Sequence, residues 1–132
     1  MSFRGGDLIP FQTRAPITRE QLKAYASASG DTNEIHLDEE VAKANGLPGI
    51  IAHGMLTAAF IAERAREFCA GDGIWITHSV QNRFKAMTFP GDVISVGGSV
   101  KQVSEAELTL ELQAKNQRGE LTTTGLVKFK RA

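Results

Sequence analysis

The chain is 132 residues long, enough for one domain with a real core and too short for two comfortable ones. Its apolar fraction of 42% and charged fraction of 23% are those of an ordinary globular protein, and fifteen basic residues balance fifteen acidic ones. With lysines and arginines scattered along the chain, that balance excludes the basic field that nucleic acid or anionic lipid would require.

The N-terminal stretch MSFRGGDLIPF has no apolar leader core, and no later apolar run reaches membrane-spanning length. Cys69 is the only cysteine, which rules out an internal disulfide and suits a reducing compartment. The expectation is a cytoplasmic protein with no membrane segment, residues 1–132 forming a single domain.

Ile9 to Ile17 reads as a first extended segment, bounded by Pro10 and Pro16. Thr18-Arg19-Glu20-Gln21 fits a capping box, and Leu22, Tyr25, Ala26 and Ser29 follow at the spacing of one helix face. Gly30 is placed to end that helix in the left-handed conformation. A loop follows, then a short helix capped by Asp38 and closed by Gly46, then a Pro48-Gly49 turn.

His53 to Gly71 predicts a long helix whose first half is apolar on nearly every face: Met55, Leu56, Ala58, Ala59, Phe60, Ile61 and Ala62. Such a helix is buried, with its charges at Glu63, Arg64, Arg66 and Glu67 emerging into solvent. Everything after Gly73 reads as strand: Ile74–Met87, Val93–Val103, the alternating Leu108–Ala114, and Leu121–Phe129. Phe89-Pro90-Gly91-Asp92 and Arg118-Gly119 are turns, Gly97-Gly98 marks a bulge or a close backbone approach, and Lys128, Lys130 and Arg131 form a solvated strand end. Four hairpin-linked strands make an antiparallel sheet, and the buried helix is the only apolar element for it to cover. The predicted class is α+β, an antiparallel sheet wrapped around a long central helix.

The loop SGDTNEIHLDEE gathers Asp31, Asn33, Glu34 and His36 just after a glycine. Asp31-x-Asn33 begins like a calcium loop, but Ile35 and His36 occupy the next ligand and glycine positions, so that template fails. Asp31, His36 and His53 have the makings of a two-histidine, one-carboxylate site, yet nothing in their spacing demands a metal, and none is expected. Taken alone, Asp31 and Asn33 read as turn residues and His36 as a structural histidine. The second histidine–glycine pair, in Ile51-Ala52-His53-Gly54-Met55 at the mouth of the buried helix, changes the balance. First-turn amides have no internal partner, and the helix dipole is positive there. In an apolar surround that terminus suits a carbonyl oxygen gaining negative charge, and Gly54 lets a substrate reach the backbone. A carboxylate, an imidazole and an oxyanion site on one core fit carbonyl-activated proton chemistry.

Ser29-Gly30-Asp31-Thr32-Asn33-Glu34-Ile35-His36, followed by Ile51-Ala52-His53-Gly54-Met55-Leu56, closely resembles the MaoC-like dehydratases and (R)-specific enoyl-CoA hydratases. The likeness extends through Arg83-Phe84 and the Phe89–Asp92 turn. It implies the hot-dog fold and a dimer, or a higher even oligomer, with the site near the subunit interface. It further implies a cofactor-free hydratase or dehydratase acting on an acyl-CoA or acyl carrier protein thioester. Asp31 and His36 would hold the water beside the β-carbon and share the acid–base work. Asn33 would steady the loop or the water, and Gly54, next to His53, would receive the thioester oxygen. The sequence departs from the family at Glu34, where proline is usual. It departs again in the central helix, where some members carry a serine and this chain has Ala59 and Ala62, with only Thr57 offering a hydroxyl. A thioesterase, or a non-catalytic thioester-binding subunit, are the rival readings. Phe60, Trp75 and Phe84 are expected in the core.

Overall fold

The computed structural model describes residues 2–132. Along the chain run β1 (Leu8–Thr13), α1 (Arg19–Ser29), a short 3-10 turn (Glu34–His36), α2 (Glu39–Ala44), α3 (Gly54–Cys69), β2 (Trp75–Phe84), β3 (Ser95–Val103), β4 (Glu107–Lys115) and β5 (Leu121–Arg131). The local signals act where the sequence puts them. Thr18 Oγ1 accepts from the Gln21 amide at 3.0 Å to start α1, and Gly30 at φ 80° ends it. Asp38 Oδ1 accepts from the Val41 amide at 3.1 Å to cap α2.

The five strands form one antiparallel sheet in the order β1-β3-β4-β5-β2. Successive hairpins therefore join only β3, β4 and β5, which corrects the expectation of four. β2 lies against β5 in a register that pairs Trp75 with Arg131 and Phe84 with Thr123. The chain between β2 and β3 crosses to the far side of β4 instead of turning back. Main-chain bonds hold that crossing against the rest of the fold: Lys85 donates to the Thr122 carbonyl at 2.8 Å, Ala52 to Thr88 at 2.7 Å and Ile17 to Asp92 at 2.9 Å.

The sheet wraps α3 in the hot-dog arrangement. Ile61, Ala65 and Cys69 pack on Val96, Val100, Leu108, Leu110, Leu112, Val127 and Phe129. Each Val, Leu, Ile or Phe among them contributes about 1.5–3 kcal/mol by leaving water. A Cβ added at Gly125 would come 2.6 Å from Ile61 Cγ2, so β5 meets the helix backbone-first. A second cluster, Ile17, Leu22, Ile50, Ala52 and Leu56, fastens α1 over the N-terminal end of α3.

α3 is not buried all round. Met55 is 58% exposed and Ala59 is open to solvent, because the sheet and α1 together cover only part of the helix. Arg64, expected to reach solvent, is instead buried and donates through Nε and Nη2 to the Pro10 carbonyl at 3.3 and 2.8 Å. Pro10 is tolerated in β1 because that strand is an edge. Gly97 and Gly98 mark a close approach: a Cβ on Gly98 would fall 2.0 Å from the Glu111 carbonyl oxygen. The bulge itself lies opposite them in β1, between Ile9 and Gln12. Arg131 also departs from a solvated strand end, since its guanidinium lies 3.9 Å over the Trp75 ring.

Candidate active site

The loop after α1 is built from side-chain-to-backbone bonds of two-residue reach. Ser29 Oγ accepts from the Asp31 amide at 3.2 Å, Asp31 Oδ1 from Asn33 at 3.3 Å, and Asn33 Oδ1 from Ile35 at 3.2 Å. These short polar residues replace the backbone ladder that a loop lacks. The last bond opens the 3-10 turn, which swings His36 inward until it is buried. His36 Nδ1 lies 2.8 Å from the Ile51 carbonyl oxygen. A carbonyl only accepts, so Nδ1 donates to it and Nε2 is the ring nitrogen left to face Asp31. Asp31 Oδ2 stands 3.9 Å from that Nε2. This is too long for a hydrogen bond and suited to one oxygen touching both groups. The Asp31 side chain is half exposed.

His53 precedes α3 and ties the two motifs together. Its Nε2 donates to the Asp31 carbonyl at 3.1 Å, and its ring stacks on His36 with centroids 3.8 Å apart and planes 23° from parallel. Tyr25, from α1, meets the His53 ring with centroids 4.9 Å apart. His53 Nδ1 is buried and has no hydrogen-bond partner among the described residues. Gly54 then begins α3 without any side-chain cap, so its amide has no acceptor within the helix.

A cavity of about 310 Å³ opens at this helix end, lined chiefly by His53, Gly54, Thr57, Phe84, Met87 and Thr88. Asp31 and His36 are not part of its lining; they join it through His53, which lines the cavity and stacks on His36. Thr57 Oγ1 donates to the Gly54 carbonyl at 2.8 Å and pairs with Thr123 Oγ1 at 3.0 Å. That hydroxyl holds the first turn of the helix.

Of the residues singled out from sequence, Asp31, His36, His53 and Gly54 thus converge. Asn33 is exposed, lines no part of the cavity, and gives its carboxamide oxygen to the loop. Glu34, in place of the usual proline, is exposed and starts the 3-10 turn. Phe84 leaves the core expected of it: it is 52% exposed and its ring faces Gly54, where a Cβ would lie 3.1 Å from the ring edge. Phe60 and Trp75 do pack on the core. Tyr25, the Ile51 carbonyl and the Met87–Thr88 wall were not legible as site elements; only the helical spacing of Tyr25 pointed inward.

Asp31, His36 and His53 offer ligand atoms that all lie within 4.8 Å of one another. They form a poor metal site all the same. The two imidazole planes are stacked 3.8 Å apart, so their in-plane lone pairs run side by side and do not converge on one ion at about 2.0–2.1 Å from each nitrogen.

A family model described as MaoC like domain matches residues 6–120. The chain belongs to the MaoC-like family. A solved structure of the (R)-hydratase from A. caviae involved in PHA biosynthesis superposes with a TM-score of 0.87 at 26% identity, covering 99% of this chain and 98% of that one. Among curated relatives, Fatty acid synthase 2 of Mycosarcoma maydis is 32% identical over 118 residues. That match takes in 85% of this chain but only 3% of the synthase. The (R)-specific enoyl-CoA hydratase of Rhodospirillum rubrum is 34% identical over 80 residues, covering 60% of this chain and 54% of the relative. The MaoC-like chain therefore spans a small fraction of the fungal synthase and about half of the bacterial hydratase.

Proposed function

We propose that the protein adds water to 2-enoyl thioesters, giving (R)-3-hydroxyacyl thioesters, and removes it in the reverse direction. The observation that carries this reading is the Asp31 carboxylate facing Nε2 of His36 at 3.9 Å, next to the mouth of α3. A thioester carbonyl acidifies its α-carbon, and the charge that develops on its oxygen meets the Gly54 N–H and the positive end of the helix dipole. In hydration Asp31 takes a proton from the water as its oxygen bonds the β-carbon, then delivers a proton to the α-carbon. His36 Nε2 accepts a hydrogen bond from the same water and orients it. In elimination the carboxylate removes the α-proton and returns it to the departing hydroxyl. His53 and Asn33 keep the loop in register with the helix. The scheme needs no metal and no organic cofactor. The (R) product follows the hydratases that the chain resembles.

Crotonyl-CoA, followed through the absorbance of its conjugated enoyl bond, tests the reading with the full chain. Loss of that absorbance without thiol release is the expected result. Thiol release with the enoyl bond intact would make the protein a thioesterase, and binding without turnover a thioester-binding subunit.

We further infer that residues 1–132 act as one MaoC-like unit, in the cytoplasm, as a homodimer or higher even oligomer. Edge strand β2 supports this: Val80 and Phe84 are exposed on its helix-facing side, with Met55 and Met87 beside its end. An antiparallel edge can pair with its own copy about a twofold axis, covering that apolar stripe and closing the open side of the cavity. Val80→Glu should shift the protein to monomer in analytical ultracentrifugation; an unchanged sedimentation coefficient would rule out this edge.

A further inference from the structure

Residues 49–53 carry the chain from the Pro48-Gly49 turn to the start of α3 without regular secondary structure. Each backbone polar group of such a strap has to be satisfied one at a time. Ala52 donates to the Thr88 carbonyl at 2.7 Å and Ile51 to the Ile35 carbonyl at 3.2 Å. The Ile51 carbonyl accepts from His36 Nδ1 at 2.8 Å. The buried Ile50 finds its acceptor in a side chain: its amide donates to Glu39 Oε2 over a long 3.4 Å, and Arg19 Nη2 donates to the same oxygen at 3.1 Å. The carboxylate lies so close over the strap that a Cβ added at Gly49 would fall 2.4 Å from Glu39 Oε1.

Glu39 lines no part of the cavity at Gly54, yet its place in the chain gives it leverage on the site. It is the first residue of α2 and stands three residues after His36. Between the two, the amides of Leu37 and Asp38 both donate to the Glu34 carbonyl, at 3.0 and 2.8 Å, which leaves the link little freedom. One short, rigid segment therefore grips the strap twice, through His36 at Ile51 and through Glu39 at Ile50. Arg19, the first residue of α1, holds the carboxylate from the other side. The Arg19 and Glu39 side chains are 59% and 37% exposed, and an ion pair so open to water contributes little stability. Its contribution is direction: it seats the peptide two links before the one whose carbonyl orients His36.

We propose that Glu39 is a positioning residue. By seating the Ile50 amide it holds the Ile51 carbonyl where His36 Nδ1 meets it, and so keeps His36 Nε2 aimed at Asp31. The consequence for turnover rests on the hydratase reading above, to which this adds the support behind the imidazole.

The test compares Glu39→Ala, which removes the acceptor, with Glu39→Gln, which keeps an oxygen there without the charge. On crotonyl-CoA, Glu39→Ala should lower kcat about tenfold and leave KM within about twofold, the pattern of a displaced catalytic group and not of lost binding. Glu39→Gln should recover much of the loss. In a His36→Ala background Glu39→Ala should cost nothing further, because a residue that acts through another is silent once that one is gone. Nitrogen-15 spectra of the histidine rings and amide hydrogen exchange read the same effect without turnover. Glu39→Ala should shift the His36 ring nitrogens and speed exchange at Ile50 and Ile51, with the amides of β3, β4 and β5 unchanged. Unmoved His36 signals, a raised KM at constant kcat, a full further loss in the His36→Ala background, or faster exchange throughout the sheet would each overturn the proposal. No turnover of crotonyl-CoA by wild type would count against the hydratase reading, while the ring spectra and the exchange still decide the role of Glu39.

Discussion

The two ends of α3 are finished in opposite ways. At the C-terminal end, beside a space of about 260 Å³ lined by Arg66, Cys69, Ala70, Gly73, Ile74 and Trp75, the polar side chains around Asp72 are answered from within the chain. Trp75 Nε1 donates to Asp72 Oδ2 at 3.1 Å, and Arg131 donates to the carbonyl and carboxylate of Asp72 while covering the Trp75 ring. Phe3 stacks on Phe68 at 4.9 Å beside it. At the N-terminal end the Gly54 amide has no acceptor in the helix, His53 Nδ1 has no partner among the described residues, and a cavity stands open. Buried polar groups are normally satisfied, so a helix end left unsatisfied beside a cavity is the end prepared for a ligand. One end stabilises the fold, and the other has its polar groups free for chemistry.

The largest effects should come from the open end. Asp31→Asn or His36→Ala should each lower kcat on crotonyl-CoA by about two to four powers of ten, the usual worth of a general acid or base. Asp31→Asn should leave thermal stability nearly unchanged, because the carboxylate is half exposed and only its Oδ1 serves the loop. Wild-type turnover in both variants would remove the pair from the mechanism.

A smaller loss should follow Gly54→Ala. The added methyl would lie 3.1–3.2 Å from the Phe84 ring, close enough to displace it by a few tenths of an ångström and narrow the approach to the amide. We expect kcat/KM to fall about tenfold to a hundredfold, since misplacing a substrate by little costs that much. Gly54→Ala combined with Phe84→Leu should recover much of it by freeing space. If the double variant is no better than the single, the loss lies in the backbone and not in crowding.

What was legible in the sequence follows the range of the interactions involved. The capping box at Thr18, the left-handed Gly30 and the turns at Asp31 and Asn33 are bonds between residues two to four apart, and short motifs encode them fully. The convergence of that loop with His53-Gly54 came from resemblance, since the contact joins Asp31 to a ring 22 residues on. The misreadings are all long-range. Arg64 looked solvent-bound because its acceptor, Pro10, lies 54 residues away. β2 looked like a hairpin partner of β3 because nothing in its own residues says that β5 will take its flank. Phe84 looked like core because composition cannot tell a ring that fills a sheet from one that walls a cavity.

At the C-terminal end, Trp75→Phe tests whether stability is concentrated there. It removes the indole N–H that Asp72 accepts and shrinks the surface under Arg131. Urea unfolding should report a loss of about 1–2 kcal/mol, with kcat on crotonyl-CoA within twofold of wild type. A drop in turnover without a drop in stability would erase the division between the two ends.

The smallest effect, and the most specific, should be the acid sensitivity of that same end. Hydrogen bonds from Ser2 and then Trp75, with Arg131 nearby, hold the Asp72 carboxyl below the ordinary aspartate range. A carboxyl whose folded value is depressed adds stability that is complete above its unfolded value and is lost as the pH falls through the folded one. Wild type should therefore lose this increment on acidification below the usual carboxylate range, while Asp72→Asn, with nothing to protonate, should lack it at every pH. The melting temperatures of the two proteins should differ at neutral pH and converge in acid. Parallel curves across the acid range would show that Asp72 is held by shape and not by charge, leaving Arg131 to act through its stacking on Trp75.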